Sequence, residues 1–441
     1  MSELQAERPA QVEELRRVAP SAWIGRQLRE PYVGLLVSQL LTGGVALVAN
    51  VLMVRSLAPS GRGEVALMLQ VVYLATQVLL LGTERSFIAS YHEVAPAAAV
   101  RAYARLLIVP CGLALAGAAA FVMVAPDGFN PGLGIVALLA CYAIVEATSL
   151  ATRSIAVAVG RVRDFLYCRI IEALLLLAML VGLFVARVSN PSVWIVAYMV
   201  AGALPTIVYV FIWLRLPVSP AANPVLPGQN RKVRQEGLAL FPAALSNMAM
   251  LRVDRLALPA LASTAALGLY ASVATMTELL AWPLRAYADS RLGRWRAAHQ
   301  AGELRTRPIV LATVVYCLVV APIMAAGLYL LIVPVFGEQY APAKAVVVPL
   351  VVAAALYAVS RVSLGLLIAK GHNALVSAAE ITGFVVSFAA YLLLIPPFGI
   401  LGAAYGSLLG YGACLLFAIV TSRLVGGRPA VAEVAEEVRA P

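Results

Sequence analysis

Charge is what this chain has least of. Asp, Glu, Lys and Arg together make up 12% of its 441 residues, about half of the ~25% found in ordinary soluble domains. That shortage excludes a soluble globular protein of this length, and the 62% hydrophobic share agrees. Cysteine is scarce as well. Cys111, Cys141, Cys168, Cys317 and Cys414 form no C-x-x-C pair and lie in or beside apolar runs, so they read as small packing residues. His92, His299 and His372 fall in separate loops, which argues against a shared metal site. Nothing matches G-x-x-x-x-G-K-[ST], so no phosphate-cradling loop is expected to bind ATP, and any transport is secondary or driven by another subunit. No cofactor is expected, and coupling to H+ or Na+ stays open.

What the chain does contain is apolar runs of the length that crosses a hydrocarbon slab of about 30 Å. Twelve can be delimited, the first at 33–53 and the last at 400–420. Helix is the required form, because open sheet edges cannot be satisfied in lipid. The predicted fold is therefore an all-α integral membrane protein of about twelve transmembrane helices in two six-helix lobes. The expected divisions are an N-terminal arm (1–32), a first lobe (33–214), a linker (215–237), a second lobe (238–421) and a tail (422–441).

Lys and Arg set the orientation, since loops rich in them stay in the cytoplasm. With both termini inside, 27 of the 33 basic residues fall on the cytoplasmic side, four outside (Arg55, Arg62, Arg187, Lys344) and two within the seventh span. The net charge of +11 is thus dispersed over loops that meet anionic headgroups, and it does not point to nucleic acid. The arm has no short apolar stretch ending in a cleavage site, so the first span is expected to be an uncleaved anchor, with 11–29 a surface helix or a solvated tail. The loops on the far side are short, the longest being 54–64 and 335–345, and neither clusters acid and base groups. Catalysis there has nowhere to sit, and no enzymatic activity is expected.

The order of motifs repeats between the halves. Leu57-Ala58-Pro59 and Gly63 join the first two spans, as Leu261-Ala262-Ser263 and Gly268 join the seventh and eighth; Gly160-Arg161 and Gly371-His372 follow the fourth and tenth. Ala197-Tyr198 with Gly202 matches Ala404-Tyr405 with Gly406. Duplicated bundles of this kind are a common transporter plan. Between them, 215–237 carries Pro217, Pro220, Pro224 and Pro227 and a basic cluster, which suits an extended, mobile tether or a plain connector.

The chemistry concentrates in the seventh span. Arg252-Val253-Asp254-Arg255 puts three charges on one turn of an apolar run, and each charge near a bilayer centre costs at least ~2.5 kcal/mol. Arg252 and Arg255 share a helical face, with Asp254 turned about 100° from Arg255 and about 160° from Arg252. No carboxylate within that helix neutralises both, so the pair either lines a cavity for an anion or forms a salt bridge between helices. Asp254, beside Asn247, reads as a structural or coupling partner. Glu278, in the eighth span, lies within reach of an arginine from the seventh and reads as a counter-ion or a proton- or cation-coupling carboxylate. Glu146 and Glu380 allow the same reading, whereas Glu172 is expected to pair with Arg169. Arg285 and Arg361 lie toward cytoplasmic helix ends, where snorkelling is the default. Asn50 and Arg55 read as an interfacial cap or a contact for released substrate, and Pro242, Pro283 and Pro322 as kinks.

Leu251-Arg252-Val253-Asp254-Arg255, Gly268-Leu269-Tyr270 and Glu278-Leu279-Leu280 resemble the seventh and eighth helices of bacterial polysaccharide-type flippases. These belong to the multidrug, oligosaccharidyl-lipid and polysaccharide exporter superfamily. Val335-Phe336-Gly337-Glu338-Gln339-Tyr340, Ala369-Lys370-Gly371 and Gly399-Ile400-Leu401-Gly402 are similar to later landmarks of that group, as are Ser56 to Gly63 and Leu81-Gly82 to Glu84-Arg85 earlier. The resemblance covers roughly 33–421. It implies a flippase in the bacterial inner membrane, moving a polyprenyl-diphosphate-linked oligosaccharide outward by alternating access for surface polysaccharide. It also implies membrane lipids and a glycan polymerase or ligase as neighbours. By the resemblance, Arg85 with Glu84 lies near the inward-facing cavity. Substrate binding is thus expected of Arg252, Arg255 and Arg85, and coupling or counter-ion roles of Asp254, Glu278 and Glu84. Two alternatives remain: an organic-cation antiporter of the same superfamily, whose cavity should be acidic and aromatic, and a transport-inactive scaffold.

Overall fold

The computed structural model describes residues 31–124, 132–217 and 223–425. The arm helix expected at 11–29 and most of the expected tail lie outside the described residues. Fourteen helices run through these segments: α1 (Pro31–Ser56), α2 (Pro59–Leu80), α3 (Thr83–Ser90), α4 (Pro96–Val124), α5 (Leu133–Ala158), α6 (Val162–Val185), α7 (Pro191–Arg215), α8 (Gln229–Leu261), α9 (Thr264–Thr277), α10 (Trp282–Gln300), α11 (Thr306–Leu331), α12 (Val347–Ala369), α13 (Asn373–Phe398) and α14 (Ile400–Val425). Several begin on a proline, whose missing N–H costs nothing in a first turn. Others are capped by a side chain: Asn190 accepts from Ser192 N–H at 3.0 Å and Ser263 from Ala266 N–H at 3.1 Å.

Nine described helices are long and apolar enough to cross a membrane, or ten if α9 and α10, bent by 40° about Glu278–Leu280, count as one span. Two of the twelve expected spans fall short of that measure. Only Thr42–Ser56 of α1 enters it, and α8, which carries Arg252, Asp254 and Arg255, is not among those that pass. Pro283 sits in the first turn of α10 just after the bend, where the expected kink lies.

The helices pack around two apolar cores. One gathers residues of α1 to α7, with Tyr91, Tyr103, Trp194 and Trp213 fully buried. The other gathers mostly residues of α8 to α14, including Tyr270, Tyr340 and Tyr391, with Val54 of α1 and Ala66 of α2 reaching into it. α8 belongs to both: Val233 sits in the first core, Met250 and Leu258 in the second. Each core defines a lobe, the second helices α2 and α9 face each other across the boundary, and the crossing helix α8 lies beside α2.

The linker departs from its expected form. Its second half is the start of α8, released from the prolines at Gly228 and docked on the first lobe. Ser86 Oγ donates to the Val233 carbonyl at 3.0 Å, Asn230 Nδ2 to that of Ala102 at 3.1 Å, and Tyr91 bonds Asn230 Oδ1. Asn223 is held too, through its N–H to Glu93 and its amide to His92, both at 3.0 Å. A mobile tether would leave these groups in water. Cys168, Cys317 and Cys414 are buried as packing residues should be, Cys111 is half-buried and Cys141 is exposed.

Candidate functional site

The loops define two ends. At the basic end lie 91–95, 160–161, 301–305 and 370–372; at the tight end lie 57–58, 262–263 and the turns Glu338–Val346. Midway, Glu278 reaches from the break between α9 and α10 to Arg252 and Arg255 of α8. Its Oε1 accepts from Arg252 Nη1 at 3.3 Å and from Arg255 Nη2. No carboxylate of α8 could serve both, and the neighbouring helix supplies the one that does. Asp254 turns away into the second lobe, accepting from the Tyr270 hydroxyl at 2.7 Å and from the Arg255 N–H at 2.8 Å. Ser407 continues this chain, 3.2 Å from Tyr270 and 2.9 Å from Tyr391. Asp254 is thus a structural group here, and the Asn247 side chain beside it lies outside the described residues.

Exposure separates the two arginines. The Arg255 side chain is 6% exposed and sealed against Glu278, while that of Arg252 is 20% exposed and lies 5.4 Å from the centre of the Tyr73 ring on α2. Arg252 therefore spans the lobe boundary, with Nε unpartnered. The space beside this cluster is small, about 50 Å³, and Arg285 closes its basic side.

Arg285 also lines a larger cavity, of about 450 Å³, between the lobes at the basic end. Glu84 and Ile88 of α3 and Arg153 of α5 face Arg285 of α10 and Arg361 of α12 across it. Arg361 is tied to Glu380 of α13 at 2.7 Å, so it is an ion-paired wall residue and does not snorkel. Arg153 and Arg285 have no ion-pair partner among the described residues. Among those that line the cavity, Glu84 supplies the carboxylate. Glu84 thus stands at this wall, whereas the Arg85 side chain lies outside the described residues. Sequence reasoning missed Arg153, which looked like one more positive-inside residue. Its signal was position: it falls inside the apolar run of α5, ahead of the loop.

Other candidates fall elsewhere. Arg169 and Glu172 pair at 2.8 Å as expected, and Glu146 lies near them in the first lobe, apart from the basic-end cavity. Asn50 is neither a cap nor free. It is fully buried at the tight end, donating to the Ser272 carbonyl at 2.9 Å and accepting from Arg62. Arg55 bonds the carbonyls of Pro334 and Val335, and Tyr340 donates to Leu57 at 3.2 Å, so the two lobes are latched here. The closure is backbone against backbone. A Cβ on Gly63 would lie 1.8 Å from the Thr264 oxygen, and one on Gly268 1.8 Å from that of Pro59. This arrangement is closed at one end and hollow at the other.

Solved structures carry the same architecture. The chain superposes on an inward-facing multidrug resistance MATE family transporter of the MOP superfamily with a TM-score of 0.67 and 14% identity, covering 87% of this chain and 94% of that one. The chain has a MATE-type transporter fold. The outward-facing conformation of a multidrug resistance MATE family transporter matches with a TM-score of 0.60 and 15% identity, over 89% and 94% of the two chains. The lipid II flippase MurJ, in an inward closed conformation, gives a TM-score of 0.61 and 11% identity, over 89% and 87%. No model of a known family matches the sequence, and no curated protein does. At such identities the likeness is one of fold, and drug exporters and a lipid flippase share it alike.

Proposed function

We propose that the chain is a secondary transporter that flips a polyprenyl-diphosphate-linked oligosaccharide from the cytoplasmic to the outer leaflet of the membrane, without enzymatic chemistry. The observation that carries this reading is the cavity at the basic end, where Arg153 and Arg285 have no ion-pair partner among the described residues and Arg361 forms the wall. By the distribution of Lys and Arg that end is cytoplasmic. A diphosphate cannot enter hydrocarbon with its charge unmatched. Guanidiniums in a cleft replace its water with bidentate, charge-assisted hydrogen bonds, and the prenyl tail stays in lipid. Arg285 then leads to Arg252, the more exposed of the two arginines that Glu278 holds. A phosphate arriving there competes with Glu278 for Arg252, and that exchange is the step through which a proton or cation on Glu278 would couple to transport. Arg255 and Asp254 hold Arg252 and Glu278 in place, and Glu84 stands at the entrance.

The organic-cation reading shares the fold and must be met at the site. Among the described lining residues three guanidiniums outnumber the one carboxylate, Glu84, and such a lining repels a cation. Replacing Arg153 and Arg285 by Ala, singly and together, tests the choice through lipid-linked glycan on the cytoplasmic leaflet. Each charged hydrogen bond lost is worth about 1.5–3 kcal/mol, so accumulation of roughly tenfold or more is expected for the pair. Normal surface glycan at normal protein level, or reduced export of an organic cation instead, would remove these arginines from a phosphate site.

A further inference from the structure

Arg62 is a cation buried with no carboxylate paired to it among the described residues. It stands in the first turn of α2 at the tight end and is 3% exposed. Its Nη2 and Nε donate to Asn50 Oδ1 at 2.8 and 3.3 Å, while Nη1 is buried and donates to nothing. The charged and titratable groups around it are Tyr198 of α7, Tyr340 of the α11–α12 connection, Tyr73 of α2 and the like-charged Arg255 of α8. Glu64, two residues on, is exposed to solvent. A guanidinium keeps its charge in a protein, so this burial is unfavourable unless something in the working cycle uses it.

A second feature points the same way. α2 starts at Pro59 and α9 at Thr264, and the glycine contacts press these two helix starts together across the lobe boundary. Each start carries roughly half a positive charge, and α2 has no side-chain cap to accept from its first N–H groups. One guanidinium and two positive helix poles therefore meet at a single point of the contact that must part.

We propose that Arg62 is the oxyanion-binding residue of the outer gate: when the tight end opens, its guanidinium and the free N–H groups of the α2 start take the diphosphate of the substrate and favour the open form. The inference rests on the phosphate-bearing substrate proposed above. In the closed form Asn50 occupies the same guanidinium, so substrate and gate closure compete for Arg62. The path then has three levels: Arg153 and Arg285, Arg252, and Arg62.

The test places nitroxide labels at Ala58→Cys and Ala262→Cys, both exposed at the rim, one on each lobe. The five native cysteines are replaced by Ala, and the distance distribution is read in lipid nanodiscs. Millimolar sodium pyrophosphate should raise the long-distance population at least fivefold. Arg62→Gln should abolish that rise, Arg62→Lys should keep part of it, and Asn50→Ala should reach it at lower pyrophosphate. Asn50→Ala and Arg62→Lys keep the test decisive if Arg62→Gln does not fold. An equal rise in Arg62→Gln, no rise with Arg62 present, or an equal rise with sodium chloride at matched ionic strength would overturn the proposal. A rise with inorganic phosphate as large as with pyrophosphate would assign the site to free phosphate of the medium and overturn the substrate role. None of these outcomes depends on glycan flipping, which the Arg153 and Arg285 variants read separately.

Discussion

Two guanidiniums drawing on one carboxylate make Glu278 the most consequential acid of the site. Removing it leaves Arg255 buried with its charge unmatched, which costs about 3 kcal/mol, the low end for one side of a buried pair because the Glu278 side chain is 30% exposed. Glu278→Gln should therefore lower the thermal midpoint of the detergent-solubilised protein by several degrees, and Arg255→Met in the same chain should recover most of the loss. A midpoint unchanged in Glu278→Gln would show that the pair contributes nothing to the fold. The charges of this cluster were legible in the sequence, because Arg252, Asp254, Arg255 and Glu278 interrupt apolar runs. Arg62 and Arg153 were not. Arg62 sits beside Pro59 and Gly61, where the sequence reads as a surface loop, and only the contact between lobes buries it. Depth along a run is local information; burial by a distant helix is not.

At the scale of elements, the helices that depart from straight spans are those that bring Arg252, Arg255 and Glu278 together. α8 starts in one lobe and ends in the other, and the α9–α10 break brings Glu278 to the boundary. Helix existence followed from apolar length, but the break at Glu278–Leu280 did not, since Trp282–Gln300 continues in helix well beyond the apolar run. The docking of 229–237 was equally hidden, because its polar face bonds residues more than a hundred positions away. The repeat of Gly63 and Gly268, by contrast, was legible, and the structure gives it a reason: both are the points where the second helices of the two lobes touch. Gly268→Ala would drive a methyl group into the Pro59 carbonyl, so closure of the tight end should fail and flipping should fall at least tenfold, as read by surface glycan at constant protein level. Gly293→Ala, where a Cβ meets nothing within 4 Å, is the matched control and should be neutral. Equal activity of both variants would mean that this contact is not part of the cycle.

Among the described residues, the boundary between the two lobes is hollow at its basic end and sealed at the other. A drug exporter and a lipid flippase can both be built on such a frame, so fold alone leaves their distinction to the sign of charge along the path. If that charge binds phosphate, pyrophosphate affinity at the basic-end cavity should fall steeply as salt is raised from 0.05 to about 0.5 M, because exposed pairs are screened over a few ångström at high ionic strength. Affinity unaffected by salt would argue that the arginines are not the ligands. The most direct measurement is made on purified protein in liposomes with a fluorescent polyprenyl-diphosphate-linked oligosaccharide, quenched from outside with a membrane-impermeant reductant. Protein-dependent movement of the probe between leaflets, reduced at least tenfold in the Arg153→Ala, Arg285→Ala double variant, is the predicted result. No movement of the lipid, with an organic cation carried by the same liposomes, would contradict the account.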